Sequence, residues 1–178
     1  LEEEGPDRLT TRAVARRIGY TAGSLYFVFR NRADLVLRVN ERTLDQLRAE
    51  LDEALDGLHD PDARLHSLGR TYLAFAERHP TRWRLIFEHN VPDDEELPDA
   101  MRRKIDAFFE LIAVELGRRS PSLDADAVRR AAQALWGGVH GIAILSITRK
   151  LRAGGERPAE ALTDDLIATY LRGLDRPG

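Results

Sequence analysis

Apolar side chains recur at intervals of three and four residues along most of this chain, and no stretch alternates apolar with polar as a half-buried strand does. The pattern predicts helices joined by short polar connections. Thr11 to Ile18 forms the first, with Thr11 as N-cap and Val14, Ala15 and Ile18 on one face. Gly19 stands where a helix end needs a left-handed residue. Thr21 caps a second short helix, whose inward face is Ala22, Leu25, Val28 and Phe29. Arg32 to about Leu58 is a long amphipathic run, with Leu35, Val39, Leu44, Leu47, Leu51 and Leu55 on one side. Pro61 opens a helix to about His79. Thr81 to His89 is a short helix, Val91 to Pro98 an acidic loop, and Asp99 to Arg119 a helix closed by Ser120 and Pro121. Asp124 caps a helix to about Leu151. Arg152 to Pro158 is a glycine-bearing turn, and Ala159 to Leu174 is the last helix.

The helix from Asp124 carries two apolar stripes. Trp136, His140, Ala143 and Ile147 form one; Ala134, Gly138, Ile142 and Leu145 form the other, on the opposite side. A helix apolar on two sides is buried on two sides. Either it lies wholly inside one domain, or its second side meets another copy of the chain across the small residues Ala134 and Gly138.

The two short helices at the start have the geometry that lays a helix in a DNA major groove, although such pairs also occur in bundles that never touch nucleic acid. Gly23 leaves room for a close backbone approach. Tyr26 can donate to a phosphate, and Phe27 can touch a thymine methyl. Thr11-Arg12-Ala13-Val14-Ala15, then Gly19-Tyr20-Thr21-Ala22-Gly23-Ser24-Leu25-Tyr26, then Phe29, Arg32 and Leu35 resembles the DNA-binding domain of the TetR family of bacterial regulators. The resemblance implies phosphate contacts from Thr11, Thr21, Tyr26 and Arg32, and base-facing positions at Gly23, Ser24 and Phe27. Arg12 joins this DNA-binding set. The family often has histidine where Val28 stands and lysine where Arg32 stands, so one common backbone contact is missing. The resemblance also implies a helix before Thr11, of which Leu1 to Gly5 would be the tail, and a dimer formed through the last two helices. Ala134-Leu135-Trp136-Gly137-Gly138-Val139-His140-Gly141 is similar to a tryptophan-histidine-glycine signature of one TetR C-terminal subgroup.

Charge sharpens the picture. From Arg8 to Arg42 there are eight arginines against Asp34 and Glu41, a net of +6, in a chain whose net charge is −3. A basic end on an acidic body is an electrostatic footprint for phosphate. The overall charge alone would have hidden it. A chain of 178 residues, 43% of them hydrophobic, can bury a substantial core. It has no cysteine and no run of about 18 apolar residues, so the reading includes no disulfide, no membrane span and a cytoplasmic location.

Candidate chemistry is thin. Histidines 59, 66, 79, 89 and 140 lack metal-ligand spacing, the carboxylates at 93 to 96 read as a solvated loop, and no phosphate loop or serine elbow is present. The expectation is therefore no metal, no cofactor and no catalytic residue. Trp83, Phe87, Phe108, Phe109, Trp136 and His140 are candidates for an apolar ligand pocket with His140 as its polar anchor; the same rings equally suit a packed core, with His140 satisfied by a nearby carbonyl.

The reading is an all-α protein: a helix-turn-helix domain at 1–42, then a helical ligand-binding and dimerisation bundle at 43–178. It would be a homodimeric, ligand-responsive repressor of double-stranded operator DNA, responding to a small apolar or aromatic molecule. The alternative is a helical ligand-binding protein or enzyme without an operator.

Overall fold

The computed structural model describes residues 10–88, 97–151 and 158–175. These form eight helices: α1 (Thr11–Ile18), α2 (Ala22–Tyr26), α3 (Arg32–Ala54), α4 (Pro61–Arg78), α5 (Pro80–Glu88), α6 (Asp99–Arg119), α7 (Ala125–Ile147) and α8 (Ala159–Leu174). There is no strand among the described residues. The expected acidic loop at 91–98, the turn at 152–158 and the tail of a preceding helix at 1–5 fall wholly or largely outside them.

Local sequence sets most boundaries. Asp60 and Asp124 accept from Ala63 N at 2.9 Å and Ala127 N at 2.7 Å, capping α4 and α7. Asn31 caps α3 by accepting from Asp34 N at 2.8 Å. Gly19 ends α1 at φ 76, the left-handed region that costs a residue with a Cβ. One cap differs from expectation. Thr10, not Thr11, caps α1: Thr10 is extended and its hydroxyl accepts from Ala13 N at 3.1 Å. Thr11 is already helical and buried, and its hydroxyl donates to the Tyr26 hydroxyl at 3.4 Å, tying α1 to α2.

Two residues assigned to inward faces lie outside. Val28 is 68% exposed because α2 ends at Tyr26, so the helical phase that would turn Val28 inward is never continued. Ile18 is exposed because nothing among the described residues covers that end of α1.

α4 is the hub of the bundle, packed by α3, α5, α6, α7 and α8. Its Leu65, Leu68, Tyr72, Leu73, Phe75 and Ala76 enter one large core with Leu47, Leu51, Leu135, Val139 and Ile167. A smaller cluster joins Leu35 and Val36 of α3 to Leu85 of α5, with Val14, Phe29 and Val39 against it. α3 runs unbroken from the smaller cluster to the large core, across position 42.

α7 is buried along a seam that shares only Ala143 with the first expected stripe. Ala132, Leu135 and Val139 lie between the two stripes and are buried with it. Trp136 and His140 flank it on one side and are half-buried. On the other side, Ala134 and Leu145 are exposed and Gly138 and Ile142 half-buried. Gly138 does make a close helix contact, but with its own chain: a Cβ there would lie 2.7 Å from Leu166 Cδ2 of α8.

Candidate functional site

The first candidate surface is built by α1, α2 and the start of α3. Thr21 caps α2, accepting from Ser24 N at 3.2 Å, and its hydroxyl lies 2.9 Å from the Ser24 hydroxyl. That pairing fixes the first turn and leaves Gly23 facing solvent. A Cβ on Gly23 would find only Thr21 Oγ1, at 3.7 Å, so packing does not require glycine there. Tyr26, Phe27 and Val28 project beyond it. Phe27 is 94% exposed, a large apolar ring almost wholly in water.

Beside this ridge runs an open cleft that brings together Thr11, Arg12, Arg16, Tyr26 and Arg32. Arg12, Arg16 and Arg32 are exposed. The acidic side chains described before position 43, Asp34 and Glu41, lie beside Arg38 of α3, at 3.9 Å and 3.1 Å, and neither borders the cleft. Of the eight expected DNA-binding residues, Thr21, Gly23, Ser24, Tyr26 and Phe27 sit on or beside the ridge, and Thr11, Arg12 and Arg32 border the cleft. Thr11 is the most withdrawn, at 7% exposure with its hydroxyl turned to Tyr26.

The second candidate site is a cavity of about 290 Å³ in the bundle. Leucines of α3 and α4 form its floor, Ile105, Phe108, Phe109 and Ile112 of α6 one wall, and Trp83, Ile86 and Phe87 of α5 another, with Leu135, Trp136 and Val139 of α7 opposite. No described lining residue carries a charge. Phe87 both lines the cavity and is exposed, so the space opens beside it. Trp83, Phe87, Phe108, Phe109 and Trp136 are thus on the wall.

His140 is not. It sits behind the wall, its ring stacked on Trp136 with centroids 4.9 Å apart and lying 4.3 Å from Phe87. Its partner is a side-chain hydroxyl rather than a carbonyl: Tyr72 OH is 2.8 Å from His140 Nδ1. Trp136 Nε1 lies 3.1 Å from the same hydroxyl. An indole N–H only donates, so the Tyr72 oxygen accepts from Trp136; a neutral His140 with its proton on Nε2 accepts the Tyr72 proton at Nδ1. Burial lowers the His140 pKa, which favours that neutral form, and burial raises that of Tyr72, which keeps the phenol protonated.

Two buried polar atoms find no hydrogen-bond partner among the described residues: Trp83 Nε1 and Asn40 Oδ1. A buried donor left unpaired costs about 1–3 kcal/mol. The other end of the Asn40 amide is used, donating from Nδ2 to the Leu85 carbonyl at 3.2 Å. Tyr72 and Asn40 escaped sequence reasoning, because each sits at an apolar-phase position of its helix and their partners are 68 and 45 residues away.

Among the described residues, no three His, Asp or Glu side chains gather as a metal site, and no helix is long and apolar enough to cross a membrane.

Known proteins show the same organisation. Residues 1–39 match the model for bacterial regulatory proteins of the tetR family, and residues 65–170 match that for the tetracyclin repressor-like C-terminal domain. An uncharacterized HTH-type transcriptional regulator of Mycobacterium tuberculosis is 29% identical over 176 residues, covering 99% of this chain and 77% of that protein. The nucleoid occlusion factor SlmA of Vibrio campbellii is 28% identical over 64% of this chain, which spans only 56% of that protein. Two solved structures share the fold. One is a protein of unknown function from a Rhodococcus species, with a TM-score of 0.79 at 24% identity, covering 99% of this chain and 89% of that one. The other is the TetR family transcriptional regulator PfmR from Thermus thermophilus, with a TM-score of 0.67 at 20% identity, covering 98% and 94%. With the two family models together spanning most of its length, the chain belongs to the tetR family of bacterial regulatory proteins and is a DNA-binding transcriptional regulator.

Proposed function

We propose that the chain is a ligand-responsive repressor of the cytoplasm, working as a homodimer on a pseudo-palindromic operator. Residues 1–42 hold the DNA: Thr21, Tyr26, Arg12 and Arg32 meet phosphates, and Gly23, Ser24 and Phe27 face bases. Residues 43–178 enclose a small apolar or aromatic molecule and join two copies through the outer faces of α7 and α8. Ala134 and Leu145 lie on that face of α7, with Gly138 and Ile142 at its edge against α8.

One observation carries the ligand-responsive part. α5 borders both sites at once. Its Trp83 and Phe87 line the cavity, while its Leu85 packs on Leu35 and Val36 of α3, beside Val14 and Phe29 of the DNA-binding unit. Whatever fills the cavity therefore bears on the helix that props α1 to α3. A ligand that binds better to a conformation with mismatched recognition helices releases operator; equal affinity for both conformations would release nothing.

Selection from random duplex DNA gives the operator, and fluorescence anisotropy then reads its affinity with and without apolar compounds. The reading expects a two-fold symmetric site whose affinity falls when the cavity is filled. A selected site without symmetry, or an affinity indifferent to every compound that demonstrably binds the cavity, overturns it.

A further inference from the structure

Side chains tell bases apart in the major groove in a few ways. Arg and Lys take guanine, Asn and Gln take adenine, Asp and Glu take cytosine, and an apolar group takes the C5 methyl of thymine. From Thr21 to Phe29 the chain holds none of the first six residue types. Gly23 offers no side chain. Ser24 is half-buried with its hydroxyl 2.9 Å from that of Thr21, and a hydroxyl both donates and accepts, so it discriminates little. The Tyr26 hydroxyl accepts from Thr11 at 3.4 Å, which holds it at the cleft beside the exposed Arg12 and Arg16. Asn31, the nearest amide, caps α3 on Asp34 N, and Arg30 stands past the ridge in the bend before α3. What α2 holds out is apolar: Phe27 is 94% and Val28 68% exposed. Apolar groups left in water beside a charged rim mark an interaction surface, and here the rim is arginine, so the occupant is a polyanion with apolar groups of its own. Duplex DNA supplies both, phosphates along its backbone and thymine methyls in its major groove.

We propose that the chain reads its operator chiefly through pyrimidine C5 methyl groups: in each half-site Phe27, with Val28 beside it, packs on a thymine methyl. A 5-methylcytosine in the same place carries the same methyl and serves in its stead, so cytosine methylation there raises affinity. The inference names the bases that the proposed regulator prefers, and it rests on the base-facing role given to Phe27 above. One methyl moved from water against the ring is worth about fourfold in affinity, as for one buried methylene, so losing it in both half-sites costs about fifteenfold.

Selection from random duplex DNA gives the half-site. Anisotropy on the full chain then reads duplexes in which each thymine in turn is replaced, symmetrically, by deoxyuridine, which lacks only the methyl. At least one position should weaken binding about fifteenfold. Cytosine at that position should also weaken binding, and 5-methylcytosine should recover about the same factor over cytosine. Phe27→Ala removes a ring that belongs to neither apolar cluster, so the variant keeps its fold, and it should bind the thymine and uracil duplexes alike. Phe27→Leu keeps an apolar contact and should keep part of the preference. A selected half-site without an essential thymine, no position at which uracil weakens binding, or a uracil penalty that Phe27→Ala leaves intact overturns the assignment. The two readings fail separately. If Phe27→Ala changes the ranking of operator variants while uracil costs nothing, Phe27 still faces bases and the methyl contact is rejected. If the ranking is unchanged, the base-facing role is rejected and the methyl contact with it.

Discussion

The side-chain amide of Asn40 donates to the backbone carbonyl of Leu85 at 3.2 Å, joining α3 to α5 across 45 residues of sequence. Asn40 is buried, and Leu85 stands between two cavity-lining residues of α5, Trp83 and Phe87. This bond and the Leu85 contacts with Leu35 and Val36 link α5 of the cavity wall to the helix that enters the DNA-binding unit, beside a hydrogen bond from Arg82 to Gln46 at 3.0 Å farther along α3. A buried hydrogen bond has a defined geometry, so it transmits a shift of α5 more faithfully than apolar contact alone.

Asn40→Ala therefore should have two effects. The Leu85 carbonyl loses its side-chain donor, lowering stability by about 1–3 kcal/mol in urea unfolding. Operator affinity should also respond less to an apolar compound that fills the cavity than in the wild type. An unchanged response with reduced stability would mean that the bond holds α5 but does not transmit its position.

Tyr26 and Phe27 are adjacent and should fail differently. Tyr26→Phe removes an exposed hydroxyl that accepts from Thr11 and that the proposed function puts at a phosphate, so affinity should fall severalfold on every duplex, about 0.5–1.5 kcal/mol. Phe27→Ala strips a ring that is 94% exposed and supports no core, so folding stability should hold while the ranking of operator variants changes. Anisotropy over a duplex panel at fixed salt checks both; an unaltered ranking after Phe27→Ala removes its base-reading role.

Leu145→Arg tests the dimer on the outer face of α7 without touching the fold. Leu145 is exposed in the single chain, so the charge matters only where a second copy covers it, costing about 3–5 kcal/mol of association if unpaired. Sedimentation should show monomer at micromolar concentration with an unchanged melting temperature. Gly138→Arg should behave otherwise and lower the melting temperature itself, because its side chain runs into Leu166 of the same chain.

His140 predicts a pH dependence of stability. Burial lowers its pKa from the ordinary value near 6.5. As pH falls through 6.5 the unfolded chain takes up a proton that the folded chain refuses, so stability drops, and the drop levels off once pH passes the lower folded value. His140→Asn keeps an acceptor for Tyr72 and cannot titrate. Its loss of stability between pH 7.5 and 5.5, measured by urea midpoints, should be smaller than that of the wild type. Equal losses would show that His140 does not titrate differently on folding.

Helix positions, the caps at Thr21, Asp124 and Gly19, and the basic segment are legible in the sequence, because each rests on spacing within a few residues. A helix repeats every 3.6 residues, a cap acts over three, and the expected caps Thr21, Asp124 and Gly19 work at that range, as do Asn31 and Asp60, which the structure adds. The motif from Thr11 to Leu35 is local for the same reason. Thr10 and Thr11 are equal as sequence, and only the position of Tyr26 decides which hydroxyl caps α1 and which turns inward.

The sequence by itself determined an all-helical chain with a basic two-helix unit at its start and a set of rings at apolar positions farther on. Tertiary structure alone decided which of those rings surround a space. Trp136 and His140 are one turn apart on one stripe, yet Trp136 faces the cavity and His140 stands behind it, because Tyr72, from a helix 64 residues earlier, draws both toward its hydroxyl. Gly138 likewise promised a close helix contact, and the bundle gave that contact to α8 of the same chain. Periodicity fixes the face on which a residue lies; the partner that meets that face is a choice made by long-range packing, where side-chain volume and hydrogen-bond complementarity are settled between helices far apart in sequence.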